Sequence, residues 1–248
     1  MQASGLDAPI EVRDVTVRFG GVVALNKVDA TFTKPISGII GPNGAGKTTL
    51  MNVISGFVMN TQGAVHADGV TLTNLMPPHR RGHWGLRRSF QKEEIADDLT
   101  VGENVLAQVD ALPLSRGRKQ QEVARALDFV GMTDRVGKAG KDLNSFERRL
   151  TDIAKCLVGH PKIIMFDEPA GGMSVEETAI LGGLILKIHD YCGAKTLVID
   201  HDVDLISRVC EETLVLDFGE RIAFGRTADV LADPKVRAAY LGIEEPAA

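Results

Sequence analysis

Two kinds of apolar pattern alternate along the chain and predict alternating strands and helices. Residues 10–19 switch between apolar and polar positions, as a half-buried strand does, and residues 22–32 predict a turn and a second strand. A short apolar run at 36–40 leads directly into a glycine-rich segment. Beyond the glycines, apolar residues recur at helical spacing, at Leu50, Val53, Ile54 and Phe57. This part of the chain therefore predicts a strand, a loop and a helix, in that order.

Continuous apolar runs mark the second half of the chain and predict strands that are buried on both faces. Such runs occupy 163–166 and 197–199, and a helix-patterned stretch at 175–189 lies between them. Strand, helix and strand in this order form the parallel crossover unit of an α/β core. The chain then closes with a hairpin at 214–224 and a terminal helix at 229–241.

The segment between these two regions has a different pattern. Residues 63–72 predict a further hairpin, and Pro77 and Pro78 interrupt the chain after it. Residues 101–130 are mostly helical in pattern, which predicts a helical insert. The chain has 248 residues, enough for one large domain that carries such an insert.

The bulk composition narrows the class of protein. The formal net charge is −5, so a nucleic-acid role would need a local basic patch. Cys156, Cys192 and Cys210 lack metal-ligand spacing and indicate a reducing compartment. No apolar run approaches the ~18 residues of a membrane span, and the first residues lack the pattern of a signal peptide. We therefore expect a soluble, cytoplasmic protein that can still dock on a membrane component.

The glycine-rich segment fits the phosphate-binding pattern G-x-x-x-x-G-K-[ST]. Glycines let the backbone curl so that several N–H groups point at one phosphate, and the following helix adds its positive end. Lys47 can reach the β- and γ-phosphates of ATP, and the Thr48 hydroxyl can ligate Mg²⁺. The predicted nucleotide-binding residues are Gly41, Pro42, Asn43, Gly44, Ala45, Gly46, Lys47, Thr48 and Thr49.

Two acids and a histidine follow the later apolar runs. Asp167, at the carboxyl end of a buried strand, can hold Mg²⁺, and Glu168 beside it can activate a water as a general base. Solvated acids at the end of a strand would give the same pattern. Only together with the glycine-rich loop does the acid pair indicate an ATPase site. His201 follows the next strand, on the side of the sheet where ligands bind, and can contact a γ-phosphate. A structural or solvated histidine is the alternative.

A basic run precedes Gln91. Its members are His79, Arg80, Arg81, His83, Trp84, Arg87 and Arg88. We interpret it as a solvated helix or loop face; contact with a membrane partner or lipid surface, and nucleic-acid binding, are the alternatives. His79 and His83 would share a helix face as metal ligands. However, Gly82 and the nearby prolines argue against a stable helix, and we assign no metal there.

In this order the motifs resemble those of the ATP-binding subunit of an ABC transporter, over nearly the whole chain. The resemblance implies an α/β P-loop NTPase fold: a mostly parallel core sheet, an antiparallel β subdomain and a helical subdomain. It identifies 41–48 as Walker A and 163–167 as Walker B, with Phe19 as the adenine-stacking aromatic. The implied catalytic residues are Lys47, the Q-loop Gln91, Glu168 and the H-loop His201, and the implied Mg²⁺ ligands are Thr48, Gln91 and Asp167.

Four shorter motifs are similar to the branched-chain amino acid importer group. They are Arg-Phe-Gly-Gly near the start, Arg-Ser-Phe-Gln ending at Gln91, Asp-Glu-Pro-Ala-Gly-Gly-Met after Walker B, and Ala-Ala-Tyr-Leu-Gly near the end. The resemblance implies ATP and Mg²⁺ as cofactors, and a substrate-binding protein, membrane permease subunits and a second, different ATPase as partners. It also implies a peripheral position on the inner face of the cell membrane.

The family's signature, L-S-G-G-Q, is degenerate in this chain. Counting back from Asp167 without a gap places it on Leu143, Asn144, Ser145, Phe146 and Glu147, where both glycines are missing. In the family this loop offers backbone N–H groups to the γ-phosphate bound by the partner subunit. Asn144 can still cap a helix. A one-residue shift aligns residues 148–150 better but does not restore the glycines. We therefore expect a non-identical ATPase partner.

The resemblance divides the single domain into three parts and leaves two other functions open. Residues 1–91 would form the antiparallel β and Walker A part, 92–150 the helical subdomain, and 151–248 the Walker B and H-loop part. One alternative is an exporter-type ATPase, such as the lipopolysaccharide-transport kind. The other is a soluble ABC ATPase of repair, translation or chromosome organisation, which would usually carry a second cassette, a coiled coil or zinc cysteines.

Overall fold

A computed structural model describes residues 8–240, and every element named here lies in that range. The strands are β1 (Ile10–Phe19), β2 (Val22–Phe32), β3 (Ile36–Ile40), β4 (Gln62–Ala67), β5 (Val70–Thr71), β6 (Leu86–Arg88), β7 (Ile163–Asp167), β8 (Lys195–Ile199), β9 (Glu212–Asp217) and β10 (Glu220–Arg226). The α-helices are α1 (Lys47–Ser55), α2 (Pro78–Trp84), α3 (Val101–Asp110), α4 (Arg116–Phe129), α5 (Ser145–Leu157), α6 (Val175–Ile185), α7 (Ile188–Cys192), α8 (Val203–Val209), α9 (Thr227–Ala232) and α10 (Pro234–Tyr240).

The strands form two sheets. The larger has the order β10-β9-β3-β8-β7-β6, with β10 antiparallel to β9 and the other pairs parallel. The smaller has the order β2-β1-β4-β5 and is antiparallel. The predicted mostly parallel core and separate antiparallel part are therefore confirmed. Because β3, β7 and β8 are parallel neighbours, the segments that follow them meet at one edge of the sheet.

Burial explains why these strands read as continuous apolar runs. Every residue of β3, β7 and β8 is buried, since both faces of the large sheet are covered. On one face, Leu50, Met51 and Ile54 of α1 pack in a cluster with residues of both sheets. On the other face, α3, α4, α5, α6 and α8 contribute to a second cluster. Helix α1 and the loop before it are thus fixed between the two sheets. Within residues 8–240, no helix has the length and apolar character needed to cross a bilayer.

Helix α2 corrects the expectation that prolines exclude a helix in this segment. Pro78 stands in the first turn, where the missing N–H leaves no helical hydrogen bond unmade. Further along the helix, Nδ1 of His83 lies 2.9 Å from the carbonyl oxygen of His79. Gly85 then ends the helix, and its N–H donates to carbonyl groups of the last turn.

Two predicted helices are each divided into two. Asp233 is extended, at φ −64° and ψ 124°, because the residue before a proline disfavours the helical region. The terminal segment therefore forms α9 and α10, and Leu241, its predicted end, lies outside the described residues. Likewise, the stretch predicted as one helix at 175–189 forms α6 and α7, with a turn at 186–187.

Among the elements that had no counterpart in the predictions, two position parts of the candidate site. Strand β6 has only three residues, and it pairs in parallel with β7 at the edge of the large sheet. Helix α5 packs against α3 and α4 and is buried along most of its length. Strand β6 brings the segment around Gln91 to the region of the glycine loop. Helix α5 places the segment around Asn144 in the helical subdomain.

Candidate active site

The glycine loop joins the carboxyl end of β3 to α1 by a path that only glycine permits at two positions. Gly41 and Gly46 have φ angles of 150° and 100°. A Cβ on Gly41 would lie 2.1 Å from the Leu216 carbonyl oxygen, and one on Gly46 would lie 2.8 Å from that of Ala24. Gly46 caps α1 without a side-chain hydrogen bond, and the first turn contains no acidic residue. The N–H groups of this helix end are therefore left for a ligand.

Lys47 is held against the loop that it follows. Its Nζ donates hydrogen bonds to the carbonyl oxygens of Gly41, at 2.7 Å, and Pro42, at 2.9 Å. Burial lowers the pKa of Lys47, and the charges of Glu168 and Asp167 oppose that shift. The ammonium is therefore held at the loop and lies near enough to both acids to feel their charges.

Glu168 faces the glycine loop across a shared cleft. The cleft is lined by Ala24, Glu168 and residues 43–49. Glu168 follows β7 in a left-handed conformation, at φ 49°, and its N–H donates to the carbonyl oxygen of Ile199, at 2.8 Å. Nε2 of Gln91 donates to Oε2 of Glu168, at 2.7 Å. A non-glycine residue in this conformation is strained, which is common where a side chain must be aimed at a reaction centre.

Asp167 ends β7 and forms a buried ion pair. Nη2 of Arg88 donates to Oδ2 of Asp167, at 2.9 Å, and the two side chains are 5% and 9% exposed. Arg88 was not among the residues predicted for the site. Its sequence signals were its place in the basic run and in the Arg-Ser-Phe-Gln motif that ends at Gln91.

The oxygen donors near the cleft fit a magnesium ion. Thr48 supplies a hydroxyl, Asp167 a carboxylate and Gln91 a side-chain amide oxygen, and Mg²⁺ prefers such hard ligands. The pair with Arg88 uses Oδ2 of Asp167, and the bond to Glu168 uses the nitrogen of the Gln91 amide. Neither contact involves Oδ1 of Asp167 or the amide oxygen of Gln91.

His201 lies beside a neighbouring cleft, lined by residues after β7 and β8. This cleft includes Ala170, Met173, Asp200 and Arg208. The side chain of His201 is 66% exposed, and its Nδ1 lies 3.7 Å from Oδ1 of Asp200. Burial raises the pKa of Asp200, although N–H groups of Asp202 and Ala170 donate to its carboxylate. His201 thus stands on the ligand side of the sheet, and its role as a phosphate contact stays a prediction.

Phe19 is the last residue of β1, opposite Val22 in the hairpin to β2. Its side chain is 53% exposed, as an aromatic platform for a base would be before the base binds. Ala24, on the following strand, lines the cleft of the glycine loop. The stacking role of Phe19 remains a prediction.

The segment predicted to be the signature loop, residues 143–147, lies at the start of α5, and its side chains cap that helix. Oδ1 of Asn144 accepts from the N–H of Glu147, at 2.8 Å, and Oε2 of Glu147 accepts from the N–H of Asn144, at 3.0 Å. This is a capping box at the start of α5. Leu143 is buried, Phe146 packs against the helical core, and Asn144 and Ser145 are exposed.

Glu147 is further held by two cations. Its carboxylate lies 2.6 Å from Nζ of Lys138 and 3.4 Å from Nε of Arg135. Burial acts to raise the pKa of Glu147. The hydrogen bonds from Lys138 and Asn144 and the two positive charges outweigh burial and leave the pKa below its usual value. A negative charge therefore stands at this helix end.

The basic run before Gln91 is not a solvated face, and that interpretation is wrong for three of its arginines. Arg81, Arg87 and Arg88 are largely buried. Arg81 donates to the carbonyl oxygens of Val53 and Ile54, both at 2.6 Å, at the end of α1. Guanidinium groups can be buried here because carbonyl groups left unpaired at helix and strand ends accept their hydrogen bonds. Arg80, His79 and His83 are exposed.

Two sequence models match the chain. One, described as ABC transporter, matches residues 25–171. The other, described as branched-chain amino acid ATP-binding cassette transporter, matches residues 220–246.

Curated relatives and solved structures extend this similarity over nearly the whole chain. The high-affinity branched-chain amino acid transport ATP-binding protein BraF of Pseudomonas aeruginosa is 32% identical, covering 94% of this chain and 97% of that protein. The lipopolysaccharide export system ATP-binding protein LptB of Haemophilus influenzae is 34% identical, covering 84% and 86%. The ADP conformation of an ATP-binding cassette of an ABC transporter superposes with a TM-score of 0.83 at 28% identity, covering 95% and 99%.

Proposed function

Because this chain belongs to the branched-chain amino acid group of ABC transporter ATP-binding proteins, we propose that it powers the import of such amino acids or related solutes. As a member of this family it is an ATPase that couples ATP hydrolysis to transport. The observation that carries the ATPase part of the proposal is the cleft shared by residues 43–49 and Glu168, which unites a glycine-rich loop with an acid able to activate water. The similarity to the branched-chain amino acid group supports the importer part.

The chain's own residues would divide the chemistry among them. Lys47 would leave the carbonyl oxygens of Gly41 and Pro42 for the β- and γ-phosphates, while the open N–H groups of α1 hold the same charge. Glu168 would orient a water for in-line attack and take its proton. Thr48, Gln91 and Asp167 would hold Mg²⁺, which neutralises charge on the phosphates. His201 would contact the γ-phosphate, and Phe19 would stack on adenine.

The ATPase partner in this proposal is a non-identical subunit. The support is the capping box of Asn144 and Glu147, which engages two N–H groups at the start of α5 and adds a negative charge there. A phosphate brought to this helix end would meet two N–H groups that are already engaged and a carboxylate of the same charge. In a mixed pair, the glycine loop of this chain would meet a competent signature loop. The partner's glycine loop would meet this weak one.

A mixed pair can be tested against the purified chain alone. We expect the chain co-expressed with its second ATPase and permease to hydrolyse ATP much faster than a homodimer at equal concentration. A homodimer as fast as the mixed pair would contradict the pairing. It would leave the family and the ATPase activity untouched.

The permease would contact a groove beside Gln91 in this proposal. The groove is lined by Phe57 and Phe90 on one side and by Asp152 and Lys155 of α5 on the other. An oxygen of Asp152 is buried beneath this groove and makes no hydrogen bond within the described residues. This contact would hold the chain as a peripheral subunit on the cytoplasmic face of the membrane.

A lipopolysaccharide exporter is the second candidate, favoured by the similarity to LptB. The match of residues 220–246 to the branched-chain group argues for the importer. So does the weak signature loop, because a homodimeric exporter would carry that weakness in both sites. Purification of the intact complex separates the two: an amino-acid-binding protein among its subunits supports import, whereas a lipid-transfer protein supports export.

A further inference from the structure

We propose that Arg88 is a positioning residue for ATP hydrolysis, which ties the carboxylate of Asp167 to helix α1 and so aligns the two halves of the Mg²⁺ site. The inference rests on the proposed roles of Thr48 and Asp167. Thr48 stands at the start of α1, whereas Asp167 ends β7. Each half of the site thus belongs to a different element, and a side chain that bridges them controls their separation.

The guanidinium of Arg88 makes that bridge with three hydrogen bonds. Nη2 donates to Oδ2 of Asp167, at 2.9 Å. Nη1 donates to Oδ1 of Asn52, at 2.6 Å, and to Oγ of Ser55, at 2.9 Å. Asn52 and Ser55 lie on α1, one and two turns after Thr48. One planar group therefore contacts both elements of the site.

Two aromatic rings restrict the position of this guanidinium. Its Cζ lies 4.9 Å from the ring centroid of Phe90 and 6.0 Å from that of Phe57. The two rings contact each other edge to face, with centroids 5.8 Å apart. Phe90 is the residue before Gln91, so the segment that carries the Q-loop glutamine also packs against the group that holds Asp167.

Stability alone does not account for the pair. The Coulomb attraction of a buried ion pair roughly offsets the desolvation of its two charges, so apolar residues of similar size would often serve as well. Nε of Arg88 is also buried, and it makes no hydrogen bond within residues 8–240. What arginine adds here is geometry: its rigid fork reaches two acceptor sets at once, whereas the lysine ammonium is a point charge on a flexible stem.

The neighbouring Arg87 offers a matched control. It too is buried, but its hydrogen-bond acceptors are the carbonyl oxygens of Gly82, Leu86 and Val158. It contacts neither Asp167 nor α1 in these bonds. Replacing the Arg87 guanidinium should therefore disturb packing next to the site without acting on the proposed Mg²⁺ ligands.

The test compares Arg88→Lys, Asn52→Leu and Arg87→Lys in the full chain. Binding of a fluorescent ATP analogue is titrated with Mg²⁺ and with EDTA, and thermal unfolding is measured in parallel. We expect Arg88→Lys to raise the Mg²⁺ concentration for half-maximal tight binding by about tenfold, the scale of one lost hydrogen bond between charged groups. Binding in EDTA should change less than about twofold, since the phosphate loop is intact. Asn52→Leu should shift the Mg²⁺ dependence in the same direction by less.

Coupling between Arg88 and Asn52 separates positioning from packing. The double variant should shift the Mg²⁺ midpoint by less than the sum of the two single shifts, because both act through one bridge. Arg87→Lys should lower thermal stability without moving that midpoint. An unchanged midpoint in Arg88→Lys, or an equal shift in Arg87→Lys, would overturn the proposal. If nucleotide binding by the wild type does not depend on Mg²⁺ at all, the result would instead contradict the proposed Mg²⁺ ligands.

Discussion

The starts of α1 and α5 show how two helix termini can present opposite surfaces to the same kind of ligand. Both helices leave N–H groups at their first turn, and both carry the positive end of a helix dipole. At α1, Gly46 provides no side-chain cap, and the first turn has no acid. At α5, Asn144 and Glu147 close the end by mutual hydrogen bonds. One terminus is open to an anion, and the other has two of its N–H groups engaged and carries an acid.

The difference teaches that a helix dipole alone does not make a phosphate site. An acceptor on the chain satisfies the same N–H groups that a phosphate oxygen would bind, and it does so without loss of translational freedom. In this molecule a few side chains decide whether a helix start binds its own chain or is left for a phosphate. The asymmetry proposed for the ATPase pair follows from this difference between α1 and α5.

The largest effect should come from Glu168, which serves the open terminus. In Glu168→Gln the amide cannot accept a proton from water, so turnover of the mixed pair should fall at least about a hundredfold. ATP should remain bound, because the phosphate contacts of α1 are unchanged. Steady-state turnover and nucleotide retention measure the two effects. Undiminished turnover would remove Glu168 from the role of base.

Lys47→Ala should weaken the open terminus itself. Loss of a charge-assisted hydrogen bond to phosphate reduces affinity by roughly ten- to a hundredfold. Equilibrium binding of ATP to the single chain is the measurement. Lys34→Ala, at an exposed lysine of the turn between β2 and β3, is the control and should bind ATP as the wild type does. Equal affinities in all three proteins would contradict the role of Lys47.

Asn144→Ala should open the closed terminus. Removal of the cap should lower the free energy of unfolding by about 1 kcal/mol and release the N–H of Glu147. We also expect a rise of a few-fold in nucleotide affinity at the partner's site, for which the end of α5 would become a donor. Ser115→Ala removes the cap of α4 and should lower stability to a similar extent while leaving that affinity unchanged. Identical behaviour of the two variants would argue that α5 does not reach the nucleotide.

The smallest effect concerns the charge of Glu147 and its pH dependence. The folded-state pKa of Glu147 lies below its ordinary value, so its stabilising contribution is present above the ordinary glutamate pKa of about 4.3 and disappears as pH falls through the folded pKa. Glu147→Gln should therefore lose about 0.2 to 1 kcal/mol at pH 7, the range of ion pairs at the protein surface, and nothing below that window. Chemical denaturation at pH 7 and at acidic pH measures the difference. A gap that persists at low pH would exclude the charge as its cause.

Local sequence patterns were sufficient for much of the molecule. The glycine loop required residues able to adopt positive φ, and the buried strands required continuous apolar runs. Patterns of this kind were insufficient at α2, where a proline in the first turn was read as a break. They also failed at β6, because three residues give no period from which a strand can be recognised.

The sequence by itself determined the glycine-rich loop at 41–49, the acids at the end of β7 and the absence of glycine from 143–147, because each is a property of adjacent residues. Only the tertiary structure decided that Arg81, Arg87 and Arg88 lie inside. A guanidinium can be buried only where hydrogen-bond acceptors replace water. Here those acceptors come from segments distant in sequence, such as the end of α1 and Asp167. The contact of Arg88 with Asn52, Ser55 and Asp167 exists because parallel strands bring their carboxyl ends to one edge beside α1.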